Sequence, residues 1–231
     1  MAANRKLLAA AAVCAAAVIG VTGCSSDSGD KDPFEGMSAD KIAKKASTAS
    51  RDAGSFTMLS RTTQDGQEIT GKFSVLESGD CKATIESPKT GHSELLTIGK
   101  TSYIKGDETF WKATGPGVAG RVKGRWVKSP AKGDSACDLG GRKMFEGKKL
   151  KGLERGKDAE VDGQKTAVLV RKKGDETTTF YVALEGKPYF LKVTNDGDSK
   201  GTATFRDFDK PIDVKAPPSG EVVDEKELAG R

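Results

Sequence analysis

The sequence predicts an α+β fold: one large curved antiparallel β-sheet wrapped over a small helical layer. Three observations carry this expectation. Only one segment near the N-terminus, Met37 to Ala53, spaces its apolar residues as a helix does. From Gly54 onward the spacing switches to two, in roughly ten short runs. Those runs are joined by brief turn signals such as Asp65-Gly66, Gly99-Lys100, Asp162-Gly163 and Gly174-Asp175, so neighbours pair as a meander. A single sheet of this size must twist and curl, and the helix is expected in its concavity.

The helix starts at Met37-Ser38-Ala39-Asp40-Lys41-Ile42. Ser38 is suited to cap it, Asp40 to meet the positive end of its dipole, and Met37 to staple onto Ile42. Ile42, Ala46, Ala49 and Ala53 form a narrow apolar stripe, and Gly54 ends it. Strands follow at Ser55 to Thr62, Gln67 to Glu77, Cys81 to Ser87, Glu94 to Ile98 and Thr101 to Lys105. Phe110-Trp111, a glycine-rich loop and Trp126-Val127 come next. The stretch Asp134 to Leu150 has no clean period and reads as a covering loop with a helical turn or two. Strand grammar returns at Ala159 to Val161, Lys165 to Arg171, Thr177 to Ala183, Tyr189 to Thr194 and Thr202 to Phe208. Lys210-Pro211 breaks pairing, and residues 219–231 read as a polar tail.

Upstream of the helix the chain carries targeting information. Arg5 and Lys6 precede an uncharged run from Leu7 to Val21, and Val21-Thr22-Gly23-Cys24 reads as a lipobox. Residues 1–23 are therefore expected to leave as a lipoprotein signal peptide, with Cys24 accepting a diacylglyceryl group through its thiol. The apolar run falls short of the ~20 residues a spanning helix needs. Several acyl chains, each buried methylene contributing about 0.8 kcal/mol, would hold the protein on the extracytoplasmic face of the cell membrane. Residues 24–36, rich in Ser, Asp and Gly, read as a flexible tether. The folded domain is then expected over residues 37–218, long enough for one substantial core.

Loss of the signal, with its two basic residues and no acid, lowers the formal charge from +5 to +3. Both signs alternate along the chain, which is the pattern of a solvated surface and offers no nucleic-acid footprint. The most basic stretch, Gly147 to Lys157, is either a charged loop or a contact for anionic headgroups. Of four cysteines, Cys14 leaves with the signal and Cys24 is lipidated. Cys81 and Cys137 remain as a pair in an oxidising compartment, where a disulfide is expected. A metal site would need more partners, and His92 is the single histidine. No metal or cofactor is expected.

The order of helix, then the meander with IGKTSYIKGDETFWKA, then GRWVKSP, VDGQKTAVLV, TTTFYVALEGKPYFLKV and FRDFDKPIDVKAPP resembles actinobacterial lipoproteins of the LolA/LppX/LprG type. The similarity runs from about Ser38 to Pro218, and it departs from the family at Asp134 to Leu150, where relatives have a more hydrophobic helix. What the resemblance implies is an unclosed half-barrel over helices, an apolar cavity for acyl chains, and carriage of lipids or lipoproteins across the envelope. It implies no catalytic residues.

Small residues at Ala46 and Ala49 leave room under a curled sheet where leucines would close it. Candidate cavity residues are Ile42, Phe56, Met58, Ile69, Phe73, Val75, Ile85, Tyr103, Trp111, Val168, Phe180, Val182 and Phe190. Alternation alone does not separate a lined cavity from packed core. Beside lipid carriage stands a second reading, a non-catalytic adaptor or sensor lipoprotein whose protein partner meets a patch around Trp111 to Trp126; exposed tryptophans would favour it. A hydrolase is disfavoured: the sequence has no Gly-x-Ser-x-Gly elbow or HExxH, and His92 sits beside Gly91 at a turn.

Overall fold

A computed structural model describes residues 32–115, 117–131, 137, 142–145, 150–197 and 200–228. The signal, Cys24 and most of the tether lie outside the described residues. Among the described residues the sheet has 13 strands. They are β1 (Ser55–Gln64), β2 (Gln67–Leu76), β3 (Cys81–Ser87), β4 (Gly91–Ile98), β5 (Thr101–Gly106), β6 (Trp126–Pro130), β7 (Glu154–Arg155), β8 (Ala159–Val161), β9 (Gln164–Lys173), β10 (Glu176–Ala183), β11 (Phe190–Asp196), β12 (Gly201–Arg206) and β13 (Val222–Asp224). The helices are α1 (Ala39–Arg51), α2 (Glu108–Thr114), α3 (Ala119–Val122) and α4 (Glu225–Leu228). No helix among the described residues is long and apolar enough to cross a membrane.

Spatial order runs β13-β6-β5-β4-β3-β2-β1-β12-β11-β10-β9-β7, with β8 also on β9, so the two end strands do not meet and the sheet is unclosed. Each half is a meander dictated by its turns. Asp65 and Gly66, and again Asp162 and Gly163, all have positive φ, the backbone that two-residue hairpins require. The halves join where the first long strand meets the last, β1 against β12, in register from Thr57↔Arg206 to Thr62↔Gly201.

That junction is latched. Asp209, at φ 60°, accepts from Gly54 N (2.8 Å), Lys187 Nζ (2.8 Å) and the Tyr189 hydroxyl (2.6 Å). Its own N–H donates to Ser55 O at 2.9 Å, and the Ser55 hydroxyl donates to Lys210 O. Tyr189 stacks on Phe208 with ring centroids 3.9 Å apart. The residues after β12 thereby fold back onto the start of β1.

Helix α1 lies on the inner face of the sheet and buries Ala39, Ile42, Ala43 and Ala46. Ser50 is also buried, because its hydroxyl accepts the N–H of Phe190 at 2.9 Å. Ser38 has extended backbone at the helix start, yet its side chain makes no capping bond; only its carbonyl engages the first turn. Asp40 does more than face the dipole, accepting from Gly152 N (3.2 Å) and Leu153 N (2.8 Å). The helix ends at Arg51, before Gly54, which belongs to the latch.

Other expectations change. The tail is not free, since Val222–Asp224 adds a strand parallel to β6 and Val223 and Leu228 are buried with Val122 and Val127. Two adjacent valines between acidic residues are too short a run to show a period, which hid this strand. The ordered domain also begins before Met37: Phe34 is buried in the main core and Asp32 pairs with Arg155 at 3.1 Å. A lone Phe in a polar segment carries no periodicity to betray it. Asp107 caps α2 by accepting Phe110 N at 2.7 Å, where the sequence assigns no element to Phe110-Trp111.

Cys81 and Cys137 are bonded, with Cα atoms 6.1 Å apart and a sequence separation of 56. Replacing either with serine is expected to lower stability by about 4 kcal/mol on the chain-entropy model, read as a fall in the urea midpoint. The hydrogen bond from Lys187, then those from Tyr189 and Gly54, hold the Asp209 carboxyl well below the usual carboxylate range. A depressed acid stabilises above its unfolded value, about 4, and that contribution is lost as pH falls through the folded value. The urea midpoints of wild type and Asp209→Asn should therefore differ at pH 7 and converge in acid.

Candidate functional site

Cross-strand pairs place side chains on one face, so the registers map the inner surface residue by residue. One inner row runs Phe205–Met58–Phe73–Ala83–Leu95. The next runs Phe180–Val193–Ala203–Ser60–Gly71–Ile85. Its middle three members are small, and a hollow opens above them. A third, shorter row, Asn195–Gly201–Thr62–Ile69, forms the rim.

Beside the hollow the inner face is filled. Phe145 comes from a 3-10 turn, Arg142–Phe145, and its ring sits 5.4 Å from Phe56, 5.1 Å from Phe205 and 5.9 Å from Phe190. The Ser47 hydroxyl donates to Phe145 O at 2.6 Å, and the Arg142 guanidinium donates to Arg51 O, which ties the turn to α1. Burial holds the Arg142 guanidinium below its ordinary value. Together α1 and this turn fill the inner face beside the hollow. The hollow itself has a volume of about 470 Å³, within the ~300–1,000 Å³ of small-molecule sites.

The hollow is lined by Met58, Phe73, Ile69, Ile85, Met144, Val193 and Ala203, with Ser60, Thr62, Thr70, Thr202, Asn195 and two glycines as its polar and bare parts. None of these lining residues is ionisable. Ile69, Ile85, Met144 and Val193 are only half-buried, so apolar surface faces the opening. Chemically such a surface offers burial for a hydrocarbon and hydroxyls at its edge, and no acid, base or nucleophilic thiol.

Four of the thirteen candidate residues line this space: Met58, Ile69, Phe73 and Ile85. Ile42, Phe56, Val75, Phe180, Val182 and Phe190 are packed core. Val168 and Tyr103 point to the outer face, where Val168 pairs with Tyr181 and Tyr103 with Leu96 and Lys128. In Ala167-Val168-Leu169-Val170 four consecutive apolar residues erase the alternation that would have told the faces apart. Trp111 belongs to a separate cluster with Val118, Val122, Val127, Val223 and Leu228. Trp126 is 9% exposed and Trp111 half-buried, so neither offers the exposed ring that a contact patch there would use.

Ten of the fourteen lining residues were not among the candidates, Ser60, Gly71, Met144, Val193 and Ala203 among them. Gly71 alone carried a signal, since glycine inside a strand marks close approach of another group. His92 lies on the outer face beside its register partner Glu86, whose hydrogen bond raises its pKa. Its N–H goes to Asp107, which also caps α2, so the group is part of a structural junction facing away from the hollow.

No protein-family model matches the chain, and no curated protein sequence matches it. Solved structures do share its fold. The lipoprotein LppX of Mycobacterium tuberculosis superposes with a TM-score of 0.54 at 14% identity, covering 77% of this chain and 98% of that one. LprF from Mycobacterium bovis gives 0.55 at 14% identity, covering 78% and 96%. At that identity the likeness is one of fold.

A Cβ added at Gly71 would lie 2.6 Å from Phe73 Cε2 and 2.7 Å from Ser60 Oγ. Gly71→Ala should therefore push the Phe73 ring into the hollow and cost ~1–3 kcal/mol as an overpacked site does. A urea titration and the aromatic NMR shifts of Phe73 would show both.

Proposed function

We propose that this protein, which has the LppX and LprF fold, is a non-catalytic extracytoplasmic lipoprotein. In this reading it is acylated at Cys24 and holds a lipid or other acyl-bearing ligand in the inner-face hollow for carriage across the envelope. The observation that supports this most is the row Ala203–Ser60–Gly71, three small residues in the middle of an otherwise apolar face, which leave about 470 Å³ beside half-buried Ile69, Ile85 and Val193. Leaving apolar surface in water forgoes about 25 cal/mol per Å², and an acyl chain laid there recovers it. The lipobox supports the location, and the alternation of charge on the surface supports a soluble domain on a tether.

Ala203 sits between Val193 and Ser60 and lines the hollow, so Ala203→Trp would fill it. Native mass spectrometry of the mature chain carrying Cys24→Ser should show an added mass that organic extraction identifies as lipid. The Ala203→Trp version should lose most of that adduct while keeping its fold. A clean apo mass for the parent chain, persisting after incubation with membrane lipids, would end the carrier reading in favour of a protein-binding role.

A further inference from the structure

The place where the tether enters the domain carries a second feature. Eight residues, Cys24 to Lys31, precede the first described residue, and fully extended they reach no more than about 28 Å. Asp32 is then fixed by Arg155 and Phe34 by the main core. Around this entry stand four exposed lysines. Lys41, Lys44 and Lys45 lie at i, i+3 and i+4 on α1, opposite the face that buries Ile42, Ala43 and Ala46. Lys151 is beside them, because Asp40 holds the N–H groups of Gly152 and Leu153.

None of the four forms an ion pair among the described residues. Their acidic neighbours are largely engaged: Asp32 and Asp158 share Arg155, and Asp40 is bound to backbone, leaving Glu35 and Glu154 exposed. Like charges one turn apart disfavour a helix, so this stripe lowers the stability of α1 and gains it nothing by itself. Topology adds a direction. β7 runs antiparallel to β9 with Glu154↔Val170, so residues 151–153 lie toward the Lys173 end of β9. Followed through β10, β11, β12 and β1, that is the end where Asn195, Gly201 and Thr62 form the rim of the hollow.

We propose that the Lys41–Lys44–Lys45–Lys151 face docks on a membrane surface bearing anionic headgroups, turning the rim of the hollow toward the bilayer. The proposal rests on the reading that Cys24 is acylated, since the short tether is what keeps this end near the membrane. Each lysine near an anionic surface strengthens binding roughly fivefold, falling off within a Debye length.

The test uses the mature chain with Cys24→Ser, so that no acyl chain contributes, in flotation with vesicles. Binding is expected to equimolar phosphatidylcholine and phosphatidylglycerol but not to phosphatidylcholine alone, and to fall as salt rises. Replacing Lys41, Lys44, Lys45 and Lys151 with glutamine should weaken it at least tenfold. The same change at Lys72, Lys82, Lys123 and Lys128, exposed lysines elsewhere on the domain, should weaken it much less. Circular dichroism confirms that both sets fold. Equal recovery with both vesicle types, or equal loss from both lysine sets, overturns the proposal. The mass of the wild-type protein extracted from membranes reads acylation of Cys24, and the native mass of the Cys24→Ser chain reads the hollow; neither enters the vesicle result, so the two failures are told apart.

Discussion

The pairing of β1 with β12 is the constraint on which the rest of this structure depends. Each meander is a local object that its turns can nearly build alone. Helix α1 packs against β7, β10 and β11 of the second meander. Only when the two share an edge do Phe56 and Met58 meet Phe205, and the aromatic cluster around Phe145 gains its walls. Such long-range pairing carries a loop-closure cost that local hairpins avoid. The latch at Asp209 offsets part of it, because five hydrogen bonds converge where the chain after β12 meets the start of β1.

The same junction creates the hollow. Ala203 comes from the second meander, Ser60 and Gly71 from the first, and their juxtaposition puts three small residues side by side. Interiors normally pack to crystal-like density, so a gap of this size beside Ile69, Ile85 and Val193 sacrifices contacts that larger residues would make. Beside the hollow the chain packs closely: Phe145 lies against three aromatic rings, and Cys137 is bonded to β3.

Local signals were legible in the sequence wherever chemistry acts over a few residues. The α1 stripe, the Asp-Gly hairpins and most strand limits are of that kind. They sufficed for an α+β curved sheet, and four lining residues followed from period-two alternation. Where apolar residues run consecutively, as in Ala167 to Val170, alternation has no phase and Val168 was placed on the wrong face. Where an element is too short for a period, as in Val222–Asp224, it was taken for tail.

What the sequence determined by itself was therefore the grammar: one thin helix and two runs of strands. Tertiary structure alone decided that β1 meets β12, that Val223 and Phe34 belong to the core, and that the hollow lies over Ala203, Ser60 and Gly71. The reason is physical. Turn and helix preferences are properties of neighbouring residues, whereas a cavity is defined by what residues from opposite halves of the chain leave unfilled between them.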